Sequence, residues 1–303
     1  MKGGGVADSH EVVLVTGAGS GMGMETALLM AAGGYRVYGS VLNDTEDAAL
    51  RNEAAARRTA VETVRMDVTD AEQAASAVRQ VMGAEGRIDV LIQFVGIGLR
   101  GFFEDLEMAE IRRVFDVNLF GLMNVTQAVL PHMRTARRGR ILLTSSIGGR
   151  MGSMSISGYV SSKFAIEGWA ECLRQEVAPF GIWVTLLEPG LIQTPHFTVN
   201  RNRARRAMDP SSPYYSWFCQ HEKIVDDILA NNKFTVAQIA EAVRRIVQAR
   251  RPRLRYVIGT KAKLILAMHR YIPGEWFQNV YWSMVRRMVT KPREQAQMRA
   301  SYN

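Results

Sequence analysis

Short apolar runs and amphipathic stretches alternate along the first two-thirds of the chain. VVLVT (12–16) is rich in β-branched residues and predicts a strand, and residues 22–32 follow with a helical pattern. RVYGSVL (36–42) predicts a second strand, and an Ala-rich polar segment leads to a third, VETVRMD (61–67). A helix over 71–82 precedes the fourth strand, DVLIQFV (89–95). Two helices between 108 and 134 and a fifth strand, RILLTSS (140–146), come next. A helix ending near 179 and a sixth strand, IWVTLLE (182–188), complete the alternation. Past residue 190 the pattern loosens into an irregular polar segment, then a helix near 235–250 and a short strand near 255–258.

Strands that are apolar almost throughout, with helices between them, indicate a parallel sheet covered on both faces. Right-handed crossovers leave few topologies, and the doubly wound, Rossmann-type α/β fold is the expectation. It predicts one catalytic domain over 11–260. Residues 1–10 read as a disordered polar lead-in, and 261–303 as an aromatic-rich carboxyl-terminal extension.

Composition narrows this little. Of 303 residues, 47% are hydrophobic and 22% charged, as in ordinary soluble proteins. Two cysteines, Cys172 and Cys219, exclude a disulfide framework, and Cys172 is expected in the core. No run reaches the ~18 apolar residues of a membrane span, and no signal peptide is evident, so a cytoplasmic protein is expected. The net charge of +9 comes from scattered arginines without a nucleic-acid motif, so no nucleic-acid partner is expected. RNRARR (201–206) reads as a solvated charge run.

Chemistry enters at two places. TGAGSGMG (16–23) lies between the first strand and the first helix, with Gly17, Gly21 and Gly23 spaced T-G-x-x-x-G-x-G. Missing side chains allow a tight turn and close approach of a ligand, and the helix amino end offers N–H groups to a pyrophosphate. In GYVSSKF (158–164), Tyr159 and Lys163 stand four apart, on one face of a helix. An ammonium near a phenol at an effective dielectric of about 20 favours the phenolate by roughly three pKa units. Lys163 is therefore expected to acidify Tyr159.

Taken together, these motifs resemble the short-chain dehydrogenase/reductase family. The glycine motif, Asp67-Val68, Asn118 in VNLFG, Ser146 in RILLTSS, Tyr159-x-x-x-Lys163 and Pro189-Gly190 occur in the family's order over about 11–260, with Ser146 thirteen residues before Tyr159. The resemblance implies an NAD(P)-dependent oxidoreductase acting on CH–OH. Tyr159 would be the proton shuttle, Lys163 would hold the nicotinamide ribose, Ser146 would donate to the substrate oxygen, and Asn118 would anchor a water. It implies cofactor contacts at Gly17, Ser20, Gly21, Met22, Gly23, Asp67, Val68, Gly96, Tyr159, Lys163, Pro189, Gly190, Ile192 and Thr194. A homodimer or homotetramer is implied as well.

Departures matter too. The family's N-N-A-G reads Gln93-Phe94-Val95-Gly96 here, with Gln93 the nearest amide. Val41 and Leu42 offer neither the acid that selects NAD nor the arginine that selects NADP, and a glycine loop without a basic residue tilts the expectation toward NAD. The carboxyl region resembles that of relatives acting on retinoids and 17-hydroxysteroids, which implies a lipophilic alcohol or ketone. Trp276, Phe277, Val280, Tyr281, Met284, Val285 and Met288 recur at helical spacing with Arg286, Arg287, Lys291 and Arg293. The stripe reads first as core and second as a lid at a lipid surface, giving peripheral membrane contact. Two rival functions are a 3-oxoacyl-CoA or acyl-carrier reductase, with RNRARR gripping phosphates, and a dinucleotide-binding regulator without turnover.

Overall fold

The computed structural model describes residues 11–192, 201–232 and 234–290. The expected lead-in (1–10), Thr194, Lys291 and Arg293 lie outside them. Seven strands form one sheet: β1 (Val12–Thr16), β2 (Arg36–Val41), β3 (Val61–Arg65), β4 (Val90–Gln93), β5 (Gly139–Thr144), β6 (Ile182–Pro189) and β7 (Arg255–Ile258). Their order is β3-β2-β1-β4-β5-β6-β7, and every neighbouring pair is parallel. The order reverses between β1 and β4, which opens a crevice at the carboxyl ends of the strands. This is the doubly wound fold.

All five residues of β1 are buried because helices cover both faces. One face packs on α3 (Ala71–Glu85), α5 (Gly121–Ala136) and α6 (Ser157–Val177), through residues such as Val78, Val125 and Ile166. The other packs on α1 (Gly21–Ala32), α2 (Asp44–Ala56) and α8 (Val236–Gln248), through Leu28, Leu50 and Val243. Local signals agree with this placement. Asp70 caps α3 by accepting from the N–H groups of Glu72 and Gln73, and Gly86 ends the helix at φ 70°. At the amino edge of the sheet, buried Asp89 accepts from Val12 N at 2.9 Å and from the Arg87 and Arg138 guanidiniums at 2.8 and 2.6 Å.

Several expectations are corrected. Strands four and five end at Gln93 and Thr144, two residues short of expectation, because the following backbone leaves the sheet to line the crevice. Cys172 is exposed. The core face of α6 runs through Ile166, Ala170, Leu173 and Val177, and Cys172 falls about a third of a turn away. The carboxyl extension forms α9 (Thr260–Tyr271) and α10 (Gly274–Val289), and α10 lies against α7 (Tyr215–Ala230) and α9. Its apolar stripe is divided: Phe277 and Val285 are buried, whereas Trp276 and Val280 are 73% and 71% exposed. A core reading therefore fits only the inner half.

Candidate active site

The glycine loop meets a steric requirement at each marked position. Gly17 and Gly21 adopt φ +69° and +55°, in the left-handed region. A Cβ on Gly23 would lie 2.0 Å from Gly17 O, so the first turn of α1 packs directly on the loop backbone. Ser20 precedes α1 without capping it by its side chain, and the first-turn residues Gly21, Met22 and Gly23 line a cleft of about 600 Å³. A pyrophosphate fits this cradle: close backbone approach is possible, and the helix amino end supplies donors and partial positive charge.

The same cleft is lined by Asp67, Val68, Gly96, Ser146, Tyr159, Lys163, Pro189, Gly190 and Ile192, so the structure brings together the residues marked in the sequence. Asn118 stands just behind. It lies in a π-turn (Asp116–Phe120) between α4 (Met108–Phe115) and α5, and such turns re-aim one side chain. Its Oδ1 accepts from Ile97 N at 2.7 Å, and its Nδ2 donates to Ile97 O at 2.9 Å and to Ser162 Oγ at 3.1 Å. Both amide ends thus clamp the backbone beside Gly96. Gln93 does not replace the family's amide at the cleft. It is fully buried and donates to Leu122 O and Thr126 Oγ1 at 3.1 and 2.8 Å, pinning α5 to β4.

Lys163 is buried and donates to Thr144 O at 2.8 Å, with its Nζ 5.6 Å from the centre of the Tyr159 ring. Burial lowers its pKa to about 8 against the upward pull of Glu167. Tyr159 behaves differently from expectation. Burial raises its pKa, and a hydrogen bond with Ser146 only partly offsets this. Lys163 Nζ is held at the Thr144 carbonyl and lies over the Tyr159 ring. Ser146 Oγ accepts from Gly148 N at 3.0 Å, which fixes the hydroxyl beside Tyr159.

Sequence reasoning missed Thr144 and Ser162, which hold Lys163 and Asn118 through a carbonyl and a hydroxyl. It also missed Glu46, which lines the cleft from the first turn of α2 and accepts from Leu42 N at 2.8 Å. Ser162 had a visible signal, since it directly precedes Lys163; Glu46 had none, lying five residues past the end of β2. RNRARR is largely the solvated run expected, with Arg203, Arg205 and Arg206 exposed, but the Arg201 side chain is buried. Arg201 and Arg203 turn onto buried Glu222, and Arg205 pairs with Glu107.

A second cavity of about 320 Å³ adjoins the cleft and shares Ser146, Tyr159, Gly190, Arg201 and Asn202 with it. Leu99, Met151, Ile156, Val225, Ile265 and Val285 make much of its wall apolar. Ser153 Oγ and Tyr281 OH, 3.0 Å apart, tie α10 to the loop before α6 at its edge.

A cradle for a dinucleotide, a tyrosine–serine pair and an adjoining apolar cavity define a class of nicotinamide-dependent oxidoreductases, and comparison with known proteins identifies it. A family model described as short chain dehydrogenase matches residues 11–205; the chain belongs to this family and is an NAD(P)-dependent oxidoreductase acting on CH–OH groups. It is 35% identical to a 3-ketodihydrosphingosine reductase of Bacteroides thetaiotaomicron over 272 residues, 88% of this chain and 95% of that one. It is 30% identical to human 17-beta-hydroxysteroid dehydrogenase type 1, covering 88% of this chain and 87% of that protein. A crystal structure of a short-chain dehydrogenase from Streptomyces avermitilis superposes with a TM-score of 0.76 at 29% identity, covering 93% and 99% of the two chains.

Proposed function

We propose that this chain interconverts a lipophilic ketone and its alcohol, with Tyr159 as proton shuttle. The observation that carries this reading is the shared wall: Tyr159 and Ser146 face both the dinucleotide cleft and the apolar cavity. A bound nicotinamide supplies or accepts the hydride. Ser146 Oγ orients the substrate oxygen, and Tyr159 holds the proton that this oxygen takes up as negative charge develops. Burial disfavours the charged form of the phenol, which suits donation to a carbonyl. Lys163, fixed by Thr144 O, stands ready for the ribose hydroxyls. The names of the two relatives, a ketosphingoid reductase and a steroid dehydrogenase, support a lipophilic substrate.

Glu46 favours NAD. A carboxylate on the cleft wall beside Leu42 and Gly19 disfavours a 2′-phosphate, and fluorescence titration is expected to show tighter binding of NAD(H) than of NADP(H). The acyl-CoA alternative draws less support from the loop surface, because Arg203 and Arg205 already pair with Glu222 and Glu107. Purified protein, assayed with both dinucleotides against hydrophobic ketones and alcohols, is expected to turn over at least one pair. Binding of dinucleotide with turnover of none would instead make the chain a regulator.

The outer faces of α9 and α10 belong to the same proposal. Leu264, Met268, Tyr271, Trp276, Val280 and Met284 are exposed there, alongside Lys261, Lys263, Arg270, Arg286 and Arg287 with Glu275 as the acidic residue. Among the described residues no helix is long and apolar enough to cross a membrane. Apolar side chains rimmed by cations suit the surface of an anionic bilayer, and Met284 and Ile265 also line the substrate cavity. Trp276→Asp is expected to weaken sedimentation with phosphatidylglycerol vesicles several-fold; equal binding by both proteins would refute the contact. Phe120 and Phe164, exposed on the π-turn and α6, support self-association of the chain as a homodimer or homotetramer, to be read by light scattering.

A further inference from the structure

One wall of the apolar cavity is not apolar. Arg100 follows the β4 loop, and its backbone pairs with the segment after 201: Arg100 N donates to Asn202 O at 3.0 Å, and Ala204 N to Arg100 O at 2.8 Å. This brings Arg100, Arg201 and Arg203 onto one carboxylate, Glu222 of α7. Asp226 also pairs with Arg201, but its side chain is 59% exposed. The Arg100, Arg201 and Glu222 side chains are at most 8% exposed.

Three guanidiniums thus share one buried carboxylate. Arg100 Nη2 and Arg201 Nη2 are buried without a hydrogen-bond acceptor among the described residues. Both arginines line the cavity, beside Asn202 and His221. His221 adds no compensating charge. Its Nδ1 is engaged with Ser155 Oγ at 2.8 Å, and burial beside Arg100 lowers its pKa to about 4, leaving it neutral. Buried positive charge in excess of its partners is unfavourable until an anion supplies the missing acceptor oxygens. Guanidinium donors match the oxygens of carboxylates and phosphates.

We propose that the substrate is amphipathic and carries an anionic group, a carboxylate or a phosphate, which Arg100 and Arg201 hold inside the cavity. Its lipophilic body lies toward Ile228, Ile265, Met284 and Val285, and its reacting carbon lies at Ser146 and Tyr159. The inference rests on the second cavity being the substrate site. It also accounts for the burial of the Arg201 side chain within an otherwise exposed arginine run.

Binding to the full chain, measured calorimetrically with its dinucleotide present, tests this without requiring turnover. The probes are octanoate, octyl phosphate, octanol and octylamine, each below its micelle concentration. At least one anion is expected to bind about tenfold or more tightly than octanol and octylamine; which anion prevails separates the carboxylate from the phosphate source. The preference should persist at about 1 M salt, where screening shortens to about 3 Å and surface attraction fades. It should fall to within about threefold in Arg201→Gln and be partly restored in Arg201→Lys. Equal binding of octanol by the unaltered chain overturns the proposal whether or not the variants fold. So does an anion preference that survives Arg201→Gln, or one that salt abolishes. If the alcohol and ketone panel shows no turnover while the Arg201-dependent preference holds, the oxidoreductase reading of the cavity fails and the anion site stands.

Discussion

Tyr159→Phe is expected to reduce kcat by about 10²- to 10⁴-fold, the usual contribution of a positioned proton donor. The substitution removes one oxygen and leaves the ring, which Lys163 Nζ faces at 5.6 Å, in place. Dinucleotide affinity should therefore change by less than about threefold, and thermal stability should hold or rise slightly, because a desolvated hydroxyl is lost. Two outcomes would defeat the assignment: activity within tenfold of the parent, or an equal loss of cofactor binding. The second would show a structural role. A Ser146→Ala variant separates the two hydroxyls. It removes the partner that offsets the burial of Tyr159, and the acceptor for Gly148 N.

Gly23→Ala should be the most damaging glycine-to-alanine change among the described residues. Its Cβ would stand 2.0 Å from Gly17 O and 2.7 Å from Gly17 C, both backbone atoms of a loop that has no slack. The loop and the amino end of α1 must separate, and dinucleotide affinity is expected to fall about 10- to 100-fold with a stability loss of about 1–3 kcal/mol. Gly83→Ala is the matched control. A Cβ there meets nothing within 4 Å, and the residue lies inside α3, so about 1 kcal/mol of stabilisation and unchanged cofactor binding are expected. Unaltered affinity in Gly23→Ala would remove the pyrophosphate cradle from this loop.

The two substitutions probe information of different kinds. Gly23 and Tyr159 were legible because their chemistry depends on local spacing: a loop between a strand and a helix, and a pair one helical turn from Lys163. Strand ends were less legible. Gln93 continues an apolar run, yet pairing stops there, and the chain beyond it turns to face the cleft. Its amide was the nearest to the family's pattern in sequence, but the fold sets it against Thr126. Cys172 shows the same limit on a helix, since an apolar neighbourhood in sequence does not specify which face is covered.

The sequence by itself determined the alternating strands and helices, the glycine turn and the Ser146–Tyr159–Lys163 set, because periodicity and steric need act over a few residues. Tertiary structure alone decided three things: that burial of Tyr159 raises its pKa, that Glu46 reaches the cleft, and that Arg100 meets Arg201 at Glu222. Each depends on solvent exclusion or on contacts between distant segments. Charge energies follow distance and dielectric, and neither is fixed by separation along the chain.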